Sequence, residues 1–76
     1  MTTNQLDHLD AVAESLKGNR ARGAFGVLST GEKLYVALAA NRADLLAGMR
    51  YTIAEALARL GGDDIVALAR RWQYRD

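Results

Sequence analysis

A chain of 76 residues with no cysteine, no proline and a net charge of +1 is bounded before any motif is read. At this size only about 60% of the unfolded surface is buried on folding, and without cysteine neither a disulfide framework nor a thiolate metal site can add stability. The near-neutral charge excludes the global positive field of a strong nucleic-acid binder, and the longest apolar run, Leu34 to Ala40, is far too short to span a bilayer.

The abundance of Ala and Leu favours helices, and the absence of proline removes the usual breaker. Residues 1–17 are expected to form the first helix, capped by Asn4, with Leu6, Leu9, Ala13 and Leu16 at helical spacing on one face. Lys17 suits the negative end of the helix dipole, and Gly18 offers a left-handed stop. Asp7, Asp10 and Glu14 recur at i, i+3 and i+7, an acidic stripe expected on a solvated face. The segment 18–28, GNRARGAFGVL, is expected to be an irregular connection whose Phe25, Val27 and Leu28 plug into the core. Its three glycines and two arginines do not make a phosphate loop, because the Lys-Ser/Thr ending and the dinucleotide glycine pattern are both missing.

Ser29 opens the central helix, with Ser29 and Glu32 at the spacing of a capping box. The run Leu34-Tyr35-Val36-Ala37-Leu38-Ala39-Ala40 has no polar face, so this helix should be surrounded by its neighbours. Asn41 tolerates the left-handed conformation and should end it, and can also cap a short helical turn that carries Leu45, Leu46 and Met49 and stops at Gly48. Thr52 and Glu55 repeat the capping box before a stripe of Ile53, Leu57 and Leu60, which Gly61 and Gly62 terminate. Asp63 and Asp64 stand at the positive end of the last helix and Arg70 and Arg71 at its negative end, with Ile65, Leu68 and Trp72 facing the core. The expectation is an all-α single domain over 1–76, a compact bundle of four helices plus one short helical turn. Residues 73–76 should fray.

The sequence offers few groups for chemistry. His8 is the lone histidine and lies beside the acidic stripe, and catalysis or metal binding needs several converging groups. No catalytic residue, metal site or cofactor is expected, and an enzyme is not. Residues 52–72, TIAEALARLGGDDIVALARRW, have the outline of a helix-turn-helix. In that motif the second helix puts its N-terminal residues into the major groove, and here those residues are the acidic Asp63 and Asp64. Eight of the ten cationic side chains are Arg, which makes planar, bidentate contacts and is enriched at interfaces. Arg70, Arg71, Tyr74 and Arg75 form one candidate partner-binding group, and Arg20 with Arg22 a second.

The stretch LSTGEKLYVALAANRADLLAGMRYTIAEALARLG resembles small proteins carried by phages and other mobile elements of proteobacteria. The likeness lies in TGEKLYVALAANRADLL followed by YTIAEALARLG, somewhat less than half of the chain. Small, cysteine-free, one-domain proteins of that kind include the anti-CRISPR inhibitors, which act by binding the interference machinery. They share no sequence signature, so the likeness is one of type. It implies a stoichiometric inhibitor of a host defence complex in the host cytoplasm, in its narrowest form a type I anti-CRISPR protein that blocks target DNA binding. The alternative is a small helix-turn-helix-like DNA-binding regulator, and a third reading is a self-associating structural protein. The N-terminus lacks the basic and apolar regions of a signal peptide, which sets the cytoplasm as the expected compartment. Oligomeric state is left open.

Overall fold

The computed structural model describes residues 1–17 and 22–75, the Arg22 side chain excepted. Among these, six helices and no strand are present: α1 (Thr3–Lys17), α2 (Arg22–Gly26), α3 (Thr30–Ala39), α4 (Ala43–Gly48), α5 (Ile53–Leu60) and α6 (Gly62–Trp72). The all-α expectation holds. The count differs from four helices and a turn because part of the segment between Lys17 and Ser29 winds into the short α2. Gly18 and Arg20 lie outside the described residues.

Three helix starts are locked by capping boxes. Ser29 and Glu32 form the box at α3, and Thr52 and Glu55 the one at α5, both as their spacing requires. The start of α1 is set by Thr2, not Asn4. The Thr2 hydroxyl accepts from the Gln5 N–H at 3.1 Å while the Gln5 side chain accepts from the Thr2 N–H at 3.2 Å. Thr-x-x-Gln is the same device with an amide in place of the carboxylate, and Asn4 falls inside the helix.

The ends are as specific as the starts. After α3, Asn41 adopts φ 56°, its N–H bonding Leu38 O and the Arg42 N–H bonding Ala37 O. These are the paired bonds of a Schellman motif. An identical pair closes α4, but around Arg50 at φ 62°, with Arg50 N–H on Ala47 O and Tyr51 N–H on Leu46 O. Gly48 is therefore the last helical residue, not the left-handed one, and the N-cap of α4 is Arg42, which makes no side-chain cap bond, so Asn41 does not serve it. Between α5 and α6 the whole connection is Gly61, at φ 84° and ψ 168°. That region is essentially closed to residues with a Cβ.

α3 is the centre of the molecule, packing against each of the other five helices. Leu34, Tyr35, Val36 and Ala37 are all essentially inaccessible, so the helix without a polar face is enclosed. Leu6, Leu9, Val12, Ala13 and Leu16 of α1 pack with Tyr35, Val36 and Ala40 on one side. Leu46 and Ala56 pack with Leu34 and Ala37 on the other. Leu45 and Leu60 touch both groups, which makes the two one continuous core. Phe25 and Leu28 dock on it as expected, but Val27 points out and is 85% exposed. On α5 the inward residue is Ala56, and Ile53 is 56% exposed at the first turn. On α6, Ala67, Leu68 and Trp72 are half-buried against the core.

Pairwise contacts fix how the long helices run. Gln5 Nε2 donates to Glu32 Oε2 at 2.9 Å near the starts of α1 and α3, and Arg42 Nη1 donates to Leu16 O at 3.1 Å near their ends. The Met1 ammonium meets Asp64 at 3.0 Å, while Arg71 meets Asp7 and Asp10 two turns on. Hence α1, α3 and α6 run in the same direction and bring their C-terminal ends to one side of the molecule. Parallel helices stack dipoles of like sign, and the side chains at each end answer that. Glu32, Asp63 and Asp64 stand in first turns, and Lys17, Arg70 and Arg71 in last turns.

Candidate functional site

The acidic stripe of α1 is solvated at Asp7 and Glu14 but not at Asp10. Asp10 sits within the apolar stripe, four residues after Leu6 and three before Ala13, and is only 4% exposed. Its Oδ1 accepts from the Tyr35 hydroxyl at 2.7 Å and from Trp72 Nε1 at 2.8 Å, and its Oδ2 accepts from Arg71 Nη1 at 2.9 Å. The same Arg71 nitrogen donates to Asp7 Oδ1 at 2.9 Å. Arg75 lies farther off, with Nη2 3.8 Å from Asp10 Oδ2 and Nη1 3.7 Å from Glu14 Oε1. One buried carboxylate thus ties α1 to α3 and α6.

Electrostatics follow from that geometry. Burial raises the Asp10 carboxyl, but the hydrogen bonds from Tyr35, Arg71 and Trp72 together with the Arg71 charge outweigh it, and the group lies below its ordinary 3.8. Burial and the neighbouring Asp10 push the Tyr35 hydroxyl well up. Among the described residues no buried side-chain polar atom lacks a partner. A carboxylate saturated with donors in this way is an anchor. It is not a base poised near neutrality.

The candidate residues of the C-terminal group are therefore placed in different circumstances. Arg71 is turned inward onto Asp7 and Asp10. Arg75 lays its guanidinium over the Trp72 ring, 4.3 Å from the centroid, and remains 38% exposed. Tyr74 is 89% exposed and Arg70 is also exposed. Of the second group, Arg20 and the Arg22 side chain lie outside the described residues. His8 is exposed, and among the described residues no cluster of three or more His, Cys, Asp or Glu could hold a metal ion.

A feature unforeseen from the sequence lies where the ends of α1, α3 and α6 meet. A pocket of about 490 Å³ is lined there by Lys17, Asn41, Arg42, Trp72 and Arg75, together with Leu38, Ala39 and Ala40. Lys17 Nζ stands 5.6 Å from the centroid of the same Trp72 ring that Arg75 covers. Arg42, on the same lining, grips Asp44 with two parallel bonds of 2.9 Å from Nε and Nη2. These cations are distant in sequence, and only the parallel arrangement of the helices collects them. The Asp10 network did leave a trace in the sequence: a carboxylate on an apolar stripe needs donors, and a buried Tyr and Trp need polar partners.

Compared with protein-family models, curated proteins and solved structures, the chain matches none. No helix among the described residues is long and apolar enough to cross a membrane.

Proposed function

We propose that this protein is a non-enzymatic, protein-binding inhibitor of a host defence complex, acting in the host cytoplasm, and in its narrowest form a type I anti-CRISPR protein that blocks target DNA binding. The observation that carries the reading is the end of α6, where Tyr74 is 89% exposed between Arg75 and the exposed Arg70. Aromatic and Arg side chains are the residue types that dominate binding hot spots. Their positive charge suits an acidic protein surface, or a place otherwise filled by nucleic-acid phosphate. Arg71 supports this group from behind by fixing α6 to α1, and Arg20 and Arg22 belong to the proposal as its second group.

The second reading, a small DNA-binding regulator, draws on the adjacent helices α5 and α6. Two features weigh against it. The link is Gly61 alone, where the motif uses a turn of three or four residues, and the first turn of α6 carries Asp63 and Asp64, which DNA phosphates would repel.

A tagged pull-down from host lysate, with and without nuclease, separates the two. A stoichiometric protein partner that survives nuclease, and is lost from an R70E/Y74A variant, is the expected result. Enrichment that vanishes with nuclease would put the regulator reading ahead.

A further inference from the structure

We propose that the pocket at the joined C-terminal ends of α1, α3 and α6 is a binding site for a compact, multiply charged oxyanion of the phosphate class, held by Lys17, Arg42 and Arg75 beside Trp72. This proposal stands whether or not the inhibitor reading does.

Among the described residues, the lining contains three cations and the Asn41 amide, and no carboxylate. Lys17 and Arg75 both approach one indole, at 5.6 and 4.3 Å from its centroid. Two like charges drawn to the same ring repel each other, and a cation–π contact at an exposed site returns little. Helix dipoles explain why cations gather at this end, since each C-terminus carries roughly half a negative charge. Several of the terminal carbonyls are served by other groups, however. Leu16 O accepts from Arg42, Ala37 O and Leu38 O accept from the backbone N–H groups of Arg42 and Asn41, and Ala69 O and Trp72 O from those of Gln73 and Arg75. The side chains of Lys17 and Arg75 thus make no hydrogen bond to a helix end among the described residues. Among the described residues, Arg75 is ion-paired with Glu14 and Asp10 only at 3.7 and 3.8 Å, beyond hydrogen-bond length.

Among the described residues, that leaves an ammonium and a planar guanidinium with donors to give on the rim of one pocket. Arg42 is a third cation of the lining, its charge shared with Asp44. Charge-assisted bonds from such a set favour an acceptor with several oxygens and more than one negative charge over a single carboxylate. The faces of Trp72 are approached by the cations themselves, so recognition here is of the anionic group and not of a stacked base.

Trp72 is the one tryptophan of the chain, so its emission reports the site directly. Inorganic pyrophosphate is titrated at low salt into the wild type, K17Q, R75Q and the double variant, with a short DNA duplex as a separate arm. Neither substitution removes a hydrogen bond of the Asp10 network, and circular dichroism with thermal melting verifies that each variant folds. The expected result is a saturable emission change in the wild type, weakened roughly tenfold by either substitution and absent from the double variant. No saturable response to millimolar pyrophosphate, a response equal in the double variant, or a response to the duplex alone would each overturn the proposal.

Discussion

Replacing Asp10 by Asn would leave three donors, from Tyr35, Trp72 and Arg71, aimed at a neutral amide with one acceptor oxygen. Breaking a buried charge pair costs more than the pair contributes, because the remaining groups keep their desolvation penalty. D10N is expected to lose about 3 kcal/mol of stability, measured as a lower urea midpoint at unchanged slope. Tyr35→Phe removes one donor and leaves the carboxylate two others, so a loss of about 1 kcal/mol is expected. The pH dependence has a definite sign. Despite the raising effect of burial, the Asp10 carboxyl is held below its ordinary 3.8 by its donors. A group depressed in the folded state contributes stability that is fully present above its unfolded pKa and is lost as pH falls through the folded one. Urea midpoints of the wild type should therefore fall on acidification below about pH 4, and the D10N curve should be flatter over that range. Residue by residue, the apolar positions of α1 and α3 were readable because periodicity reports burial. Asp10 was not. Its charge suggested the surface, and its donors come from residues 25 and more positions away.

At the scale of the element, the most readable features were the local ones. A capping box is written within four residues, so Ser29–Glu32 and Thr52–Glu55 could be placed from the sequence, while Thr2–Gln5 was hidden by the nearby Asn4. Ser29→Ala or Thr52→Ala should each cost about 1 kcal/mol, read as a lowered melting temperature. The start of α3 carries an additional tie, because Glu32 bonds both Ser29 and Gln5. Gly61 is the stricter position. Space for a Cβ exists there, since nothing lies within 4 Å, but its backbone angles are open only to glycine. Gly61→Ala should destabilise by about 1–3 kcal/mol through backbone strain alone. An unchanged melting temperature would show that the α5–α6 link relaxes without cost. By contrast, the left-handed position after α4 falls on Arg50, where residue type gave no indication. The closing Tyr51 packs on the core and fixes the register from outside the helix.

Over the whole molecule, the radius of gyration of 11.1 Å is what a well-packed chain of this length requires, about 11 Å. Periodicity could state that the helices pack, yet not that α1, α3 and α6 run parallel, because direction depends on contacts between residues far apart in sequence. The gathering of Lys17, Arg42 and Arg75 around Trp72 was invisible for that reason. The same arrangement divides the Arg-rich C-terminal segment by role. Arg71 holds the fold, and Arg70 and Tyr74 face outward. Charge reversal at Arg71 should accordingly lower the melting temperature, whereas R70E and Y74A should leave it within a degree or so, as surface changes do. The most direct measurement of the central claim is target-DNA binding by purified type I interference complexes, with and without stoichiometric amounts of the wild type or the folded R70E/Y74A variant. The wild type is expected to block DNA binding by at least one such complex, and the variant to do so much less. Unimpeded DNA binding by all of them would contradict the inhibitor reading, and an equal block by the variant would remove Arg70 and Tyr74 from it.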